Sequence, residues 1–174
     1  SSFTLKDANG RYVYMSGTYN SFNVSDTQPE SGYLWSAIKN DDGTVKIVNV
    51  DMNKYISYDE KYSSFGAYTE PSETQKADLT LVAYVAPPAG GNGEDEGGST
   101  DGSGMKDGTY VIWTPAYKKA LSANYGNSYY NPGVDVTETG NTLSGYAGTE
   151  VWTVTKKENG NYTISYNGQN IGME

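Results

Sequence analysis

Large apolar and small polar residues alternate through Trp152-Thr153-Val154-Thr155 and Tyr162-Thr163-Ile164-Ser165-Tyr166, the period-two pattern of a half-buried strand. Between them Glu158-Asn159-Gly160 supplies a residue that tolerates positive φ, so the pattern predicts a hairpin. Asn40-Asp41-Asp42-Gly43 predicts another, joining strands over 34–39 and 44–50. Further short strands are expected over 3–5, 11–15, 22–25, 55–58, 65–69 and 78–85, and only Ser72–Lys76, after Pro71, reads as a turn of helix. Short strands separated by Gly, Asn and Asp turns predict an all-β chain built from small antiparallel barrels or sandwiches.

The alternation is interrupted once. Residues 87–104, PPAGGNGEDEGGSTDGSG, hold no large apolar side chain and cannot bury enough surface to offset their ordering entropy. The stretch 87–106 therefore reads as a flexible acidic linker between a β domain over 1–86 and another over 107–174. The two halves keep similar landmarks in the same order, which predicts a duplication. Trp35 answers Trp152, Phe3-Thr4-Leu5 answers Tyr110-Val111-Ile112, and Tyr12-Val13-Tyr14-Met15 answers Lys119-Ala120-Leu121-Ser122. Asn23-Val24-Ser25 answers Val134-Asp135-Val136, and Tyr55-Ile56-Ser57-Tyr58 answers Asn170-Ile171-Gly172-Met173. Nothing after Glu174 matches the stretch from Tyr62 to Val85, and the chain opens on Ser1-Ser2-Phe3. Either the second domain closes differently, or the chain is a trimmed piece cut before its last strands, as its opening residues also suggest.

Composition narrows the chemistry. The 174 residues contain neither Cys nor His, which removes disulfides, the usual zinc and haem sites and any His-based triad. Nothing in the sequence calls for a cofactor. No apolar run approaches the ~20 residues of a membrane span. The net charge of -9 opposes a nucleic-acid partner, because a phosphate backbone is held by cations. The excess acid lies in 1–86, with 7 bases against 11 acids, and in 87–105, with four acids and no base.

Motifs for catalysis fail on geometry. Ser36-Ala37-Ile38-Lys39 fits an S-x-x-K pattern, but in a strand its Ser and Lys point to opposite faces, and no S-D-N or K-T-G follows. Asn49, Asp51 and Asn53 with Glu60 take positions 1, 3, 5 and 12 of a notional calcium loop, yet Lys54 stands where the sharp turn needs Gly. They are weak metal candidates, and a polar strand-to-strand turn explains them as well. Asp41-Asp42 and Asp59-Glu60 are adjacent in sequence, which does not set two carboxylates across a cleft. The Gly-rich stretch 90–104 lacks the Lys-Ser/Thr of a phosphate loop.

Aromatic residues are what is left, with 17 Tyr and 3 Trp. Trp35 and Trp152 sit inside apolar alternation and belong to cores. Trp113 aligns with Lys6 and so stands apart. Tyr58, Tyr62, Phe65 and Tyr68 form one cluster, and Tyr125, Tyr129, Tyr130 and Tyr146 lie in Gly/Asn-rich loops. A sugar presents C–H faces to aromatic rings and hydroxyls to Asn, Asp or Tyr, so Trp113, Tyr125, Tyr129, Tyr130, Tyr58 and Tyr62 are the candidate ligand-binding residues. The opposing explanation is that a Tyr-rich, Leu-poor β domain builds its core from tyrosine.

The run D-G-T-Y-V-I-W at 107–113, with A-L-S at 120–122 and T-E-V-W-T-V at 149–154, resembles tandem accessory β domains of secreted or surface-anchored multidomain proteins of gut bacteria. Some of these are attached to nuclease- or phosphatase-like domains. G-R-Y-V-Y-M at 10–15 and N-S-F-N-V-S at 20–25 are similar to their companion module. The resemblance implies an appended, extracytoplasmic domain pair beside a neighbouring catalytic domain, and supplies no site residues. The expectation is a non-catalytic module that binds carbohydrate. Its alternatives are a spacer or protein-interaction module, and an aromatic platform for single-stranded nucleic acid. The last needs a basic groove, for which Lys118, Lys119, Lys156 and Lys157 would have to cluster.

Overall fold

The computed structural model describes residues 2–84, 95–96, 106–123, 131–140, 142–147, 150–157, 163–166 and 169–172. The described elements are all strands. The first four are β1 (Ser2–Lys6), β2 (Tyr12–Tyr14), β3 (Asn23–Ser25) and β4 (Leu34–Lys39). β5 (Val45–Asn49), β6 (Tyr55–Asp59), β7 (Ser64–Tyr68), β8 (Gln75–Lys76) and β9 (Thr80–Tyr84) come next, then the short β10 (Asp95–Glu96). β11 (Gly108–Thr114), β12 (Lys119–Leu121), β13 (Asn131–Asp135), β14 (Thr137–Thr139), β15 (Thr142–Ser144) and β16 (Val151–Lys157) follow. Last are β17 (Thr163–Tyr166) and β18 (Gln169–Gly172), which pair with each other.

Pairing repeats three times. In the first unit β1 pairs β2 and β4, and β2 pairs β3. In the third, β11 pairs β12 and β16, and β12 pairs β13. The middle unit uses β5, β6, β7 and β9 in the same roles, with a bridge between Val45 and Leu79, just ahead of β9, joining first strand to last. Each last strand then pairs the first strand of the next unit: β4 with β5, β9 with β11, and β16 with β1. The final pairing sets Leu5 opposite Val154 and closes the structure. Through β6, β7, β13 and β12 the hydrogen-bonded ring counts nine strands among the described residues.

Register makes the core threefold as well. Phe3, Val45 and Tyr110 are equivalent, as are Leu5, Ile47 and Ile112, and Val13, Ile56 and Leu121, and all nine lie in one buried cluster. Burying each such side chain contributes about 1.5–3 kcal/mol. Trp35, Leu79 and Trp152 fill a fourth equivalent position, each fully buried. The two indoles donate to equivalent carbonyls, Trp35 Nε1 to Val13 at 3.0 Å and Trp152 Nε1 to Leu121 at 2.9 Å. Both tryptophans are core residues, as their alternation implies. Gly133 sits on Tyr58 so closely that a Cβ there would lie 2.5 Å from the ring.

Several expectations change. The chain is all-β, but the described residues do not show two separate barrels. Strands from before and after the 87–106 linker hydrogen-bond to one another and share one core, because β1 and β16 each need a partner on both edges. Most of that linker lies outside the described residues. The repeat is three units rather than two copies. Tyr55–Tyr58 belongs to the second strand of the middle unit, and Tyr12 aligns with Ala120 rather than Lys119. Ser25 likewise aligns with Val134, two residues from the expected register. The strand at 152–155 does not pair with the one at 163–166: its two edges are already taken by β1 and β11. The segment expected as a helical turn at 72–76 is a tight turn, closed by Gln75 N–H to the Ser72 carbonyl at 2.9 Å, that leads into β8. No helix among the described residues is long and apolar enough to cross a membrane.

Candidate functional site

On the outer face of the middle unit, alternation turns Lys46 outward while Val45 and Ile47 enter the core. One strand across, Tyr55 faces outward beside buried Ile56. The connection from Pro71 through β8 to Asp78 folds back over these residues. β8 pairs β6, with Lys76 opposite Tyr58 and Gln75 opposite Asp59. A cleft of ≈ 370 Å³ results, lined by Lys46, Tyr55, Pro71, Gln75, Lys76, Ala77 and Asp78.

Its polar wall is held in place. The Asp78 carboxylate accepts from Lys46 Nζ and from Asn40 Nδ2, the latter at 2.8 Å. Asn40 also donates to Thr44 Oγ1 at 2.8 Å and accepts from Lys46 at 3.3 Å. The turn behind it is set by Asp42, which accepts from the Thr44 amide at 2.9 Å and its hydroxyl at 2.6 Å. These bonds, the hydroxyl's first, hold the Asp42 carboxyl below its ordinary pKa. On the other side Gln75 Nε2 donates to buried Asp59 at 3.0 Å. The arrangement offers one amphipathic ring, two ammonium groups, a carboxylate and an amide around a shallow hollow. That set can pack a ring-shaped polar ligand and bond its hydroxyls.

The sequence candidates fall elsewhere. Trp113 is 2% exposed and lies in a second apolar cluster with Val82, Val111, Ala120, Val136 and Leu143. It sits apart from the barrel core because the β14–β15 hairpin of the third unit covers it, with Lys118 Nζ 5.2 Å from its ring. Tyr58 is also 2% exposed and packs on Phe65 and Tyr117, at 5.2 and 5.7 Å between ring centroids. Neither ring has a face left for a ligand. That corrects their assignment: each is inward or covered, so packing rather than binding explains it. Tyr62 is exposed, with Lys61 Nζ 5.2 Å from its ring, and Tyr146 packs at the edge of the Trp113 cluster. Tyr125, Tyr129 and Tyr130 lie outside the described residues.

The calcium candidates do not converge. Asn49 is buried, donates to the Gly32 carbonyl at 2.8 Å and accepts from Met52 N–H. Asp51 accepts the Gly32 N–H at 2.6 Å, which fixes a glycine at φ 74 whose Cβ would collide with the Met15 carbonyl. Asn53 takes a left-handed φ of 53, and Glu60 accepts from Tyr117 Oη at 2.5 Å. That bond raises the Tyr117 pKa. Among the described residues no three Asp, Glu, His or Cys side chains are grouped to hold a metal. Ser36 and Lys39 lie in β4, three residues apart in an extended strand, as the sequence implied. Lys118 and Lys119 are tied to Glu138 and Asp135.

Sequence reasoning missed Lys46, Tyr55, Gln75, Lys76 and Asp78. Lys46 and Asp78 are 32 residues apart, and only the bridge between Val45 and Leu79 brings them together. The one local signal was Pro71 ahead of a short polar turn.

No protein-family model and no curated protein matches the chain. Among solved structures it is similar to BEL, a β-trefoil, with 11% identity, 88% of this chain and 91% of that one covered and a TM-score of 0.53. It is also similar to ThreeFoil, a designed threefold-symmetric protein, with 11% identity, coverage of 89% and 98% and a TM-score of 0.51. A third match is a GlcNAcα1-4Gal-releasing endo-β-galactosidase from Clostridium perfringens, with 13% identity and a TM-score of 0.49, covering 88% of this chain. The chain spans about a third of that enzyme's length, 32%. At such identities the likeness concerns the fold, and the three four-strand units counted from hydrogen bonds give the same answer: the architecture is trefoil-like.

Proposed function

We propose that the chain is a non-catalytic carbohydrate-binding module that works outside the cytoplasm, as an accessory to a neighbouring domain. The cleft at Tyr55 carries the reading. It combines a half-buried phenol ring with a carboxylate and a lysine already oriented by Asn40, which limits the ordering cost of binding. A shallow hollow that sets ammonium, carboxylate and amide groups beside the apolar surface of Tyr55, Pro71 and Ala77 suits rings that carry both hydroxyls and C–H faces. The placement outside the cytoplasm, and the neighbouring domain, rest on the likeness of 107–113 and 149–154 to secreted accessory modules.

The test is a glycan array with the whole chain, followed by titration calorimetry on the best polysaccharide. Tyr55→Ala should weaken binding at least tenfold while leaving the melting temperature within a few degrees, since the ring is outward-facing. Undiminished binding by Tyr55→Ala would remove the cleft from the account, and silence across the array would remove the function.

A further inference from the structure

We infer that the ligand of this cleft is an acidic sugar, carrying a carboxylate or a sulfate ester that Lys76 receives; this rests on the carbohydrate reading above. The cleft is lined by two cations and one anion in a chain whose net charge is -9. Lys46 is committed to Asp78, and Asn40 completes that group. The buried Asp59 carboxylate behind the wall accepts from Gln75 Nε2 and the Lys61 N–H, at 3.0 and 2.9 Å. Lys76 alone among the lining charges has no ion pair or side-chain hydrogen bond among the described residues, although it is half-buried.

Lys76 thus brings the cleft a second positive charge that no side chain among the described residues balances. An anionic group on the ligand restores what the cleft lacks, and a charge-assisted bond to it is about twice as strong as a neutral one. The pairing also fits the geometry of the wall. Gln75 and Lys76 are consecutive in β8, so alternation turns Gln75 towards Asp59 and Lys76 the other way, and both line the cleft together with Tyr55. The overall negative charge does not forbid an anion, because charges more than ~8 Å away are screened at physiological ionic strength. Inside the cleft an anion meets two lysines against one carboxylate, and that carboxylate is already paired with Lys46.

The experiment is calorimetric titration of the whole chain with oligogalacturonate, with a sulfated galactan, and with neutral galactan and cello-oligosaccharides. An acidic probe should bind tighter than its neutral counterpart, and Lys76→Gln should weaken it about ten- to hundredfold. Lys76→Arg should retain it, and neither variant should lower the melting temperature. Which acidic probe binds separates a carboxylate from a sulfate. Neutral probes binding as well as acidic ones, with Lys76→Gln silent and Tyr55→Ala damaging, would overturn the acidic assignment and leave the carbohydrate reading standing. Failure of every probe would overturn both.

Discussion

Replacing Leu5 with alanine asks whether the stretches before and after residue 100 unfold together. Leu5 is fully buried, and its strand pairs β4 of its own unit on one side and β16 on the other, with Leu5 opposite Val154. Removing a core leucine side chain costs about 2–5 kcal/mol, the range reflecting how far the surroundings collapse into the space. Here the barrel wall on both sides is hydrogen-bonded, so collapse is limited. At about 1.4 kcal/mol per tenfold, the loss corresponds to a ~30-fold to several-thousandfold rise in globally limited exchange. Amide hydrogen exchange read by mass spectrometry should therefore show that rise in β11 and β16 as well as in β1 and β4, because their slowest amides open only with the whole structure. Urea unfolding followed by tryptophan fluorescence and by far-ultraviolet circular dichroism should give coincident, single transitions shifted to lower denaturant. Unchanged protection in β11 and β16, with loss confined to β1–β4, would refute the shared barrel and restore two independent bodies.

Two further outcomes follow from particular bonds. Trp152→Phe strands the buried Leu121 carbonyl that its indole now satisfies, whereas no partner for the Trp113 indole N–H is found among the described residues. Trp152→Phe should therefore cost about 1–3 kcal/mol more than Trp113→Phe in urea unfolding, and equal costs would contradict the assignment. Asp42 has a folded pKa below its ordinary value near 3.8, set first by the Thr44 hydroxyl. A depressed carboxyl contributes stability that is present above the unfolded value and lost as pH falls through the folded one. Asp42→Asn should thus lower the melting temperature slightly near neutral pH, and the gap should close in acid. A gap that stays constant with pH would show that the charge has no part in the turn.

Much of the strand pattern is legible from alternation alone. The segments expected over 3–5, 34–39, 44–50 and 55–58 all contain observed strands, because each inward position needs an apolar side chain and each outward one does not. The β4–β5 hairpin is legible too, since Gly43 at φ 90 supplies the turn conformation that its position demands. What fails is pairing between distant segments. Alternation says which face of Val154 is buried but not that Leu5 stands opposite. The middle unit was hidden because leucine at position 79 replaces the tryptophan that marks the other two. The cleft was illegible for the same reason. Lys46, Tyr55 and Asp78 are ordinary residues singly, and their meaning comes from a bridge 34 residues long, Val45 to Leu79.

The three units differ least where the barrel constrains them and most on the outside, and that contrast is informative. Lys6, Val48 and Trp113 are equivalent, each opposite Tyr12, Tyr55 or Ala120 in the neighbouring strand. In the first unit the pair closes on itself, Lys6 Nζ lying 4.4 Å from the Tyr12 ring centroid, with Tyr33 edge-on at 6.3 Å. In the third the small Ala120 leaves room for Trp113, and β14–β15 seals both beneath Leu143 and Val136. The middle pair lies beside the described cleft, where the connecting segment carries lysine, glutamine and aspartate in place of the third unit's leucine and valine. Core packing cannot explain those choices, since none of the outward residues enters the barrel. Charged and amide groups beside a half-buried tyrosine cost the fold little and give it a place to hold something. The outer face of the middle unit is therefore where binding should be sought first.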